Sequence, residues 1–97
     1  MVIEWLKVNV PAALREQYIQ KDAEIWTTLL SQYPGFLSKE AWINPKDETE
    51  VIIVIRWHDR TSWKAIPPAS LQAAEQQFNQ AIGQAIPFTE TAEYQVF

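Results

Sequence analysis

The run of five β-branched residues at 51–55 (VIIVI), followed by Arg56, Trp57 and His58, constrains the fold of this chain more than any other feature. A short apolar run of this kind indicates a buried strand, since a membrane-spanning helix needs about 20 apolar residues. Alternate side chains of a strand point to opposite faces. One face carries Val51, Ile53, Ile55 and Trp57, and the other carries Ile52, Val54, Arg56 and His58. Both faces begin apolar, which predicts a central strand that needs cover on both sides.

Three further strands and two helical connections are predicted from the remaining pattern. The strands are residues 2–10, 37–44 and 88–97, the first helix is 12–32, and the second connection is split into 59–66 and 69–82. A polar turn at 45–49 predicts a hairpin, Asp59 is a helix N-cap, and Gly83 ends the last helix. The order β-α-β-β-α-β predicts an α+β fold, a ferredoxin-like sandwich with an antiparallel sheet and helices on one face. A length of 97 residues allows one domain, residues 1–97.

The first strand repeats the two-faced apolar pattern of the central strand. Ile3 and Trp5 lie on one of its faces, and Leu6, Val8 and Val10 lie on the other. Helices cover only one face of such a sheet, so the second face is expected to pack on another chain. A homodimer formed through the sheet face is the simplest arrangement that buries it.

Charge and composition exclude several classes of partner and site. The chain carries 8 basic and 12 acidic residues, a net charge of −4, and has no basic cluster for nucleic acid or for an anionic membrane surface. It contains no cysteine, so neither a disulfide nor a thiolate metal site is expected. The two isolated glycines form no phosphate-binding loop. The first residues, Met1 to Glu4, lack a basic segment typical of export signals, and a cytoplasmic location is expected.

Four sequence segments carry a resemblance to a known family. They are the strand VIEWLKV, the turn Tyr33-Pro34-Gly35-Phe36, the strand end Arg56-Trp57-His58-Asp59, and Trp63 in the next helix. Together they resemble the antibiotic biosynthesis monooxygenase-like group of dimeric α+β barrels, and the whole chain is similar to a branch of small bacterial proteins in it. The resemblance implies a sheet that pairs with a second copy to close a barrel, and a ligand cavity between sheet and helices. The group includes cofactor-free oxygenases of polycyclic phenols, haem-degrading enzymes, isomerases and proteins without a known activity.

Asp22 breaks the apolar pattern of the first helix. At 100° per residue it falls near the centre of an arc formed by Leu14, Tyr18, Ile25, Trp26, Leu29 and Tyr33. A carboxylate there is costly to bury without a partner. One interpretation makes Asp22 a general base or an orienting acceptor that faces a cavity. The other makes it a structural carboxylate paired with Arg56, Lys21 or a tyrosine hydroxyl, or places it on a helix rotated from this projection.

His58 and Arg56 are the other candidate catalytic residues. His58 is the only histidine, and it is either a base near neutral pH or an exposed ring beside Asp59. Arg56 is on the same strand face and either holds a phenolate or enolate or forms a structural pair. The resemblance places a haem-ligating histidine in the long second-half helix, but residues 69–82 contain none. No haem, other cofactor or metal is therefore expected, since zinc sites draw on several His or Cys ligands.

Four residues are candidate substrate contacts. Asn9 corresponds in position to a polar cavity residue of some oxygenase relatives, or it is a turn residue before Pro11. Trp26, Trp57 and Trp63 form either the walls of a pocket for a flat ligand or part of the core.

Two functions are compatible with these residues. The first is a cofactor-independent monooxygenase-like enzyme for a flat hydrophobic or aromatic substrate. The alternative is a non-enzymatic homodimer that binds a hydrophobic ligand or a protein partner, with Asp22 locked in a salt bridge. An open cavity reached by Asp22, Arg56 or His58 favours the enzyme.

Overall fold

The structure is a computed structural model that describes residues 1–97. In it, the apolar run 51–55 lies in an inner strand of a four-stranded antiparallel sheet, and the first strand of the chain is one of its neighbours. The strands are β1 (Val2–Asn9), β2 (Phe36–Asn44), β3 (Asp47–Trp57) and β4 (Phe88–Gln95), in the order β2-β3-β1-β4. The helices are α1 (Arg15–Asp22), α2 (Thr28–Leu30), α3 (Arg60–Lys64) and α4 (Pro68–Ile82). This arrangement confirms the predicted α+β, ferredoxin-like order of elements.

The first connection is less uniform than the predicted helix at residues 12–32. It begins with a 3₁₀ turn (Ala12–Leu14), continues as α1, passes through a π-helical turn (Ala23–Thr27) and ends as α2. A π turn holds an extra residue relative to an α-helical turn. The side chains after Asp22 are therefore rotated from the positions that a constant 100° spacing gives them.

The hairpin between β2 and β3 is tighter than predicted. Only Pro45 and Lys46 separate the strands, because the side chain of Asn44 accepts a hydrogen bond from Lys46 N at 2.9 Å. Asp47 Oδ1 accepts another from Thr49 N at 2.9 Å. Asn and Asp stabilise turns in this way. A register shift between Ile43 and Asn44 accommodates the extra residues of β3.

Both predicted helix caps are confirmed. Asp59 Oδ1 accepts a hydrogen bond from Ser62 N at 2.7 Å at the start of α3. Gly83 ends α4 with φ of 90°, a left-handed conformation that glycine adopts without the steric cost of a side chain. No helix of the structure is long and apolar enough to cross a membrane.

The helices pack on one face of the sheet, which we call the helix face. Its buried β3 side chains, Val51, Ile53, Ile55 and Trp57, form the core with residues of the helices and loops, among them Tyr18, Leu30, Ile66, Phe78 and Ile82. The opposite face, here called the open face, has no helix over it. Strand pairing places Trp5 opposite Val54 and Trp42 opposite Ile52 there. The open face therefore carries an apolar patch that crosses three strands, beside the ion pairs Lys7–Glu50 and Arg56–Glu40.

Candidate functional site

A cavity of about 490 Å³ lies between the helix face of the sheet and the helices. Leu6, Ile53 and Ile55 form part of its floor, and Trp26, Trp63 and Phe78 belong to its walls. Thirteen of its 21 lining residues are hydrophobic, so the surface suits an apolar ligand. The volume falls in the range of roughly 300–1,000 Å³ that small-molecule sites occupy.

Asp22 lines this cavity and is bound to Lys39. Lys39 Nζ donates hydrogen bonds to Asp22 Oδ2 and, at 3.1 Å, to Thr27 Oγ1. The side chains of Asp22 and Lys39 are only 10% and 4% exposed. Burial raises the pKa of Asp22, and the charge and hydrogen bond of Lys39 oppose that rise. The pair joins α1 and the π turn to β2.

Lys39 was not among the partners predicted for Asp22. It reaches the helix because its position on β2 is paired with Ile55, whose side chain lies on the helix face. A sequence signal was present, since Lys39 is the one charged residue in the alternating set Leu37, Lys39, Ala41 and Ile43. A lone cation on an apolar face indicates a buried partner.

Glu4 is a second carboxylate in the cavity, and the exposed Glu75 is a third; neither was predicted as a site residue. Glu4 lies on the helix face of β1, directly opposite Ile55, and it belongs to none of the ion pairs of the chain. Burial raises the pKa of Glu4, while Lys64, the Trp57 indole N–H and Lys39 oppose the rise. The signal for Glu4 was its place between Val2 and Leu6 in an otherwise apolar alternation.

Aromatic groups and one cation complete the cavity wall. Trp26 and Trp63 both line it, and Lys64 Nζ lies 3.9 Å from the centroid of the Trp63 ring, within cation–π range. Tyr18 packs on Phe78 with ring centroids 4.9 Å apart. Burial, together with the nearby Asp22 charge, raises the pKa of Tyr18. Tyr18 therefore remains a neutral phenol at neutral pH.

The structure brings Asp22, Trp26 and Trp63 together and places the other predicted site residues elsewhere. Asn9 is exposed at the end of β1, and the His58 side chain is 76% exposed beside Asp59. Arg56 lies on the open face, where its guanidinium donates to Glu40, because strand alternation turns it away from Ile55 and Trp57. Trp57 is fully buried, edge-on to Phe36 at 5.6 Å. The functional roles of all seven predicted site residues, those in the cavity included, stay predictions.

The cavity contains few of the side chains that most often ligate a haem or a metal ion. The lining contains no histidine, cysteine or methionine that would ligate a haem iron. Nowhere in the chain do three His, Cys, Asp or Glu side chains gather as a metal site requires. What the cavity does offer is carboxylates that accept protons and lysines that stabilise negative charge.

Comparison with known proteins gives a family match and a set of similar structures. The family model described as antibiotic biosynthesis monooxygenase matches residues 1–67. A protein of Nitrosomonas europaea assigned to the antibiotic biosynthesis monooxygenases has a TM-score of 0.72 at 12% identity, with 99% of this chain and 98% of that chain covered. A comparison with curated proteins finds no match.

Two further similar structures come from Streptomyces. SnoaB, a cofactor-independent oxygenase from Streptomyces nogalater, has a TM-score of 0.63 at 13% identity, covering 99% of this chain and 90% of that one. A Streptomyces coelicolor monooxygenase in complex with nanaomycin D has a TM-score of 0.72 at 13% identity, covering 99% and 87%. At these identities the likeness establishes a shared fold.

Proposed function

The chain belongs to the antibiotic biosynthesis monooxygenase family, and from that premise we propose that it is a cofactor-independent monooxygenase acting on a flat, hydrophobic aromatic substrate. The observation that carries the proposal is the cavity of about 490 Å³, mostly apolar, with three carboxylates, Glu4, Asp22 and Glu75, in its wall. SnoaB is a cofactor-independent oxygenase, and the Streptomyces coelicolor enzyme binds nanaomycin D. These neighbours support the same class of chemistry for this chain.

The proposed reaction requires a base, a dry cavity and molecular oxygen. A carboxylate takes a proton from an acidic ring carbon, and the resulting carbanion gives its electrons to O₂, forming a carbon-bound peroxide. The O–O bond then breaks as the second proton leaves the same carbon, which yields a ketone and one water. Overall, one CH₂ group of the substrate and one O₂ molecule give one C=O group and one water molecule. The lysines near the cavity, Lys39 and Lys64, stabilise the anionic stages.

Oxygen uptake with 1,8-dihydroxyanthrone as the probe tests this proposal. We expect initial rates well above buffer oxidation, with one O₂ consumed for each 1,8-dihydroxyanthraquinone formed. Leu6→Trp, which fills the cavity from its floor, abolishes the increase, whereas Ile43→Trp, at an exposed position outside the cavity lining, leaves it unchanged. Rates equal to buffer oxidation would overturn the proposal.

One observation favours the alternative function, a non-enzymatic dimer that binds a hydrophobic ligand. Asp22 is held in a salt bridge with Lys39, as that alternative expects. The same assay separates the two functions. A protein that binds 1,8-dihydroxyanthraquinone tightly but does not accelerate anthrone oxidation is a binding protein.

The functional unit in either case is proposed to be a homodimer joined through the open face. The support is the apolar surface formed by Trp5, Trp42, Ile52 and Tyr94, with Trp42 and Tyr94 among the exposed large hydrophobic residues. Apolar patches of this kind mark protein interfaces. A second copy with the same face buries both patches around one twofold axis.

A further inference from the structure

We infer that Glu4, and not Asp22, is the group that takes the substrate proton, and that Trp57 acts as its positioning residue. The inference rests on the proposed function, since it assigns the base of that reaction. Three carboxylates line the cavity, and one of them, Glu75, is exposed. The inference is based on a difference between the other two, Glu4 and Asp22, in the charge that remains nearby when each accepts a proton.

Protonation of Asp22 would leave a buried cation without a counter-charge. Lys39 Nζ is bound to Asp22 and Thr27, and its side chain is only 4% exposed. An unpaired charge in such a place is strongly destabilising. Asp22 is therefore held in its ionised, paired form and serves to anchor the helix to β2.

Protonation of Glu4 leaves no such charge behind. Glu4 has no ion-pair partner, and the cation that most influences it, Lys64, is an exposed residue on α3 that water also solvates. Glu4 is therefore free to exchange a proton with a bound ligand. Glu4 also belongs to β1, one of the two central strands, and a residue on a central strand is held in a well-defined position.

The groups around Glu4 shift its pKa in a direction that favours proton transfer. Burial raises its pKa, as does Glu93 on β4, while Lys64 on α3, Trp57 on β3 and Lys39 on β2 lower it. A base works best when its pKa approaches the working pH. The net rise moves Glu4 in that direction and still leaves cations nearby to keep it ionised.

Trp57 contributes through its indole N–H. The Nε1 atom is buried and completes no hydrogen bond of ordinary geometry, although it is close enough to Glu4 to lower the pKa of that carboxyl. The indole N–H can only donate, so it favours the ionised carboxylate and points it in one direction. This accounts for a buried donor that otherwise has no partner.

Anaerobic hydrogen–deuterium exchange at the CH₂ carbon of 1,8-dihydroxyanthrone tests the inference apart from oxygen chemistry. Followed by NMR in D₂O, the wild-type protein should accelerate the exchange, and Glu4→Gln should lower that rate about 10²–10⁴-fold. Binding of 1,8-dihydroxyanthraquinone should change less than about fivefold. Asp22→Asn should retain exchange within about tenfold whenever it folds.

Two further variants test the assignment without removing Glu4. Lys64→Met and Trp57→Phe each remove a group that lowers the pKa of Glu4. Both should move the acid limb of the wild-type pH–rate profile for exchange to higher pH. Thr61→Val, on the exposed surface of the same helix as Lys64, is the control and should leave the profile in place.

The outcomes separate this inference from the proposed function. Exchange that depends on Glu4 supports the inference, even if the protein consumes no O₂ and the monooxygenase proposal fails. Exchange that persists in Glu4→Gln, or that is lost only in a folded Asp22→Asn, overturns it. No acceleration by the wild-type protein overturns it as well.

Discussion

The two faces of the sheet differ most at one pair of neighbouring rows, where the usual arrangement is reversed. On the helix face, one row across the strands reads Lys39, Ile55, Glu4 and Glu93, and on the open face the neighbouring row reads Glu40, Val54, Trp5 and Ala92. An antiparallel sheet with one covered face normally hides its apolar side and exposes its charges. In this pair of rows the covered side holds three charged residues and the uncovered side holds one, although the ion pairs Lys7–Glu50 and Arg56–Glu40 also lie on the open face. Glu4 and Lys39 of the covered row line the cavity, Glu93 pairs with Arg60, and the apolar row of the open face is the surface proposed to bind a second copy.

The largest effect is expected from breaking the charge pair of the helix face. Lys39→Met leaves the Asp22 carboxylate buried without its cation, and it should lower the free energy of unfolding by about 3–5 kcal/mol. Urea denaturation at pH 7 measures this loss.

A double variant shows whether the loss comes from the unpaired charge. Asp22→Leu combined with Lys39→Met replaces both ions by apolar groups, which is often neutral or stabilising for a buried pair. We expect the double variant to recover most of the stability. A single-variant loss below about 1 kcal/mol would mean that the pair is as weak as a surface ion pair.

The next effect concerns the open face and uses two adjacent residues of β2. Trp42 is 44% exposed on the open face, and Ile43 is 54% exposed on the helix-face side of the same strand. Trp42→Glu should weaken the proposed dimer at least about 100-fold, or about 2.7 kcal/mol, whereas Ile43→Glu should not. Light scattering at micromolar concentration distinguishes a dimer from a single chain of 11.2 kDa. A wild-type mass equal to one chain would contradict the proposed dimer.

The smallest effect is a change in how stability depends on pH. Because burial raises the pKa of Glu4 above its unfolded value, the unfolded chain releases this proton first, and stability falls as pH rises from the unfolded value to the folded one. Glu4→Gln should therefore raise the Tm at pH 7, and the gain should disappear at pH values below the unfolded pKa. Thermal unfolding from pH 3 to pH 7 measures it. An equal gain at all pH values would show that ionisation of Glu4 is not the cause.

The order of elements could be predicted because strong local signals repeat along the chain. The apolar run at 51–55, the Asp59 cap and Gly83 each specify an element or its end. The two apolar faces of β3 were also predicted from alternation, but alternation does not say which face the helices cover. Arg56 was therefore considered for the cavity, although it lies on the open face.

The site was less predictable because it depends on strand register and on helix rotation. Asp22 stood out on the helix projection, but its partner Lys39 is 17 residues away and meets it only after β2 pairs with β3. Glu4 was recognisable in the sequence as a charged residue in an otherwise apolar alternation. Its place in a site could be inferred only once the structure showed a cavity next to it. The π turn has no proline or glycine to mark it.

The π turn at Ala23–Thr27 also determines how the helix would respond to the gain or loss of a residue in this segment. Each residue added to or removed from a helix turns the later part of that helix by about 100°. Because the π turn already holds an extra residue, loss of one residue here would instead restore a continuous α-helix and leave both Asp22 and the later part of the helix in place. Such a deletion would therefore change the ligand cavity only at the turn itself, where Trp26 lines the wall, while the Asp22–Lys39 pair stayed in place.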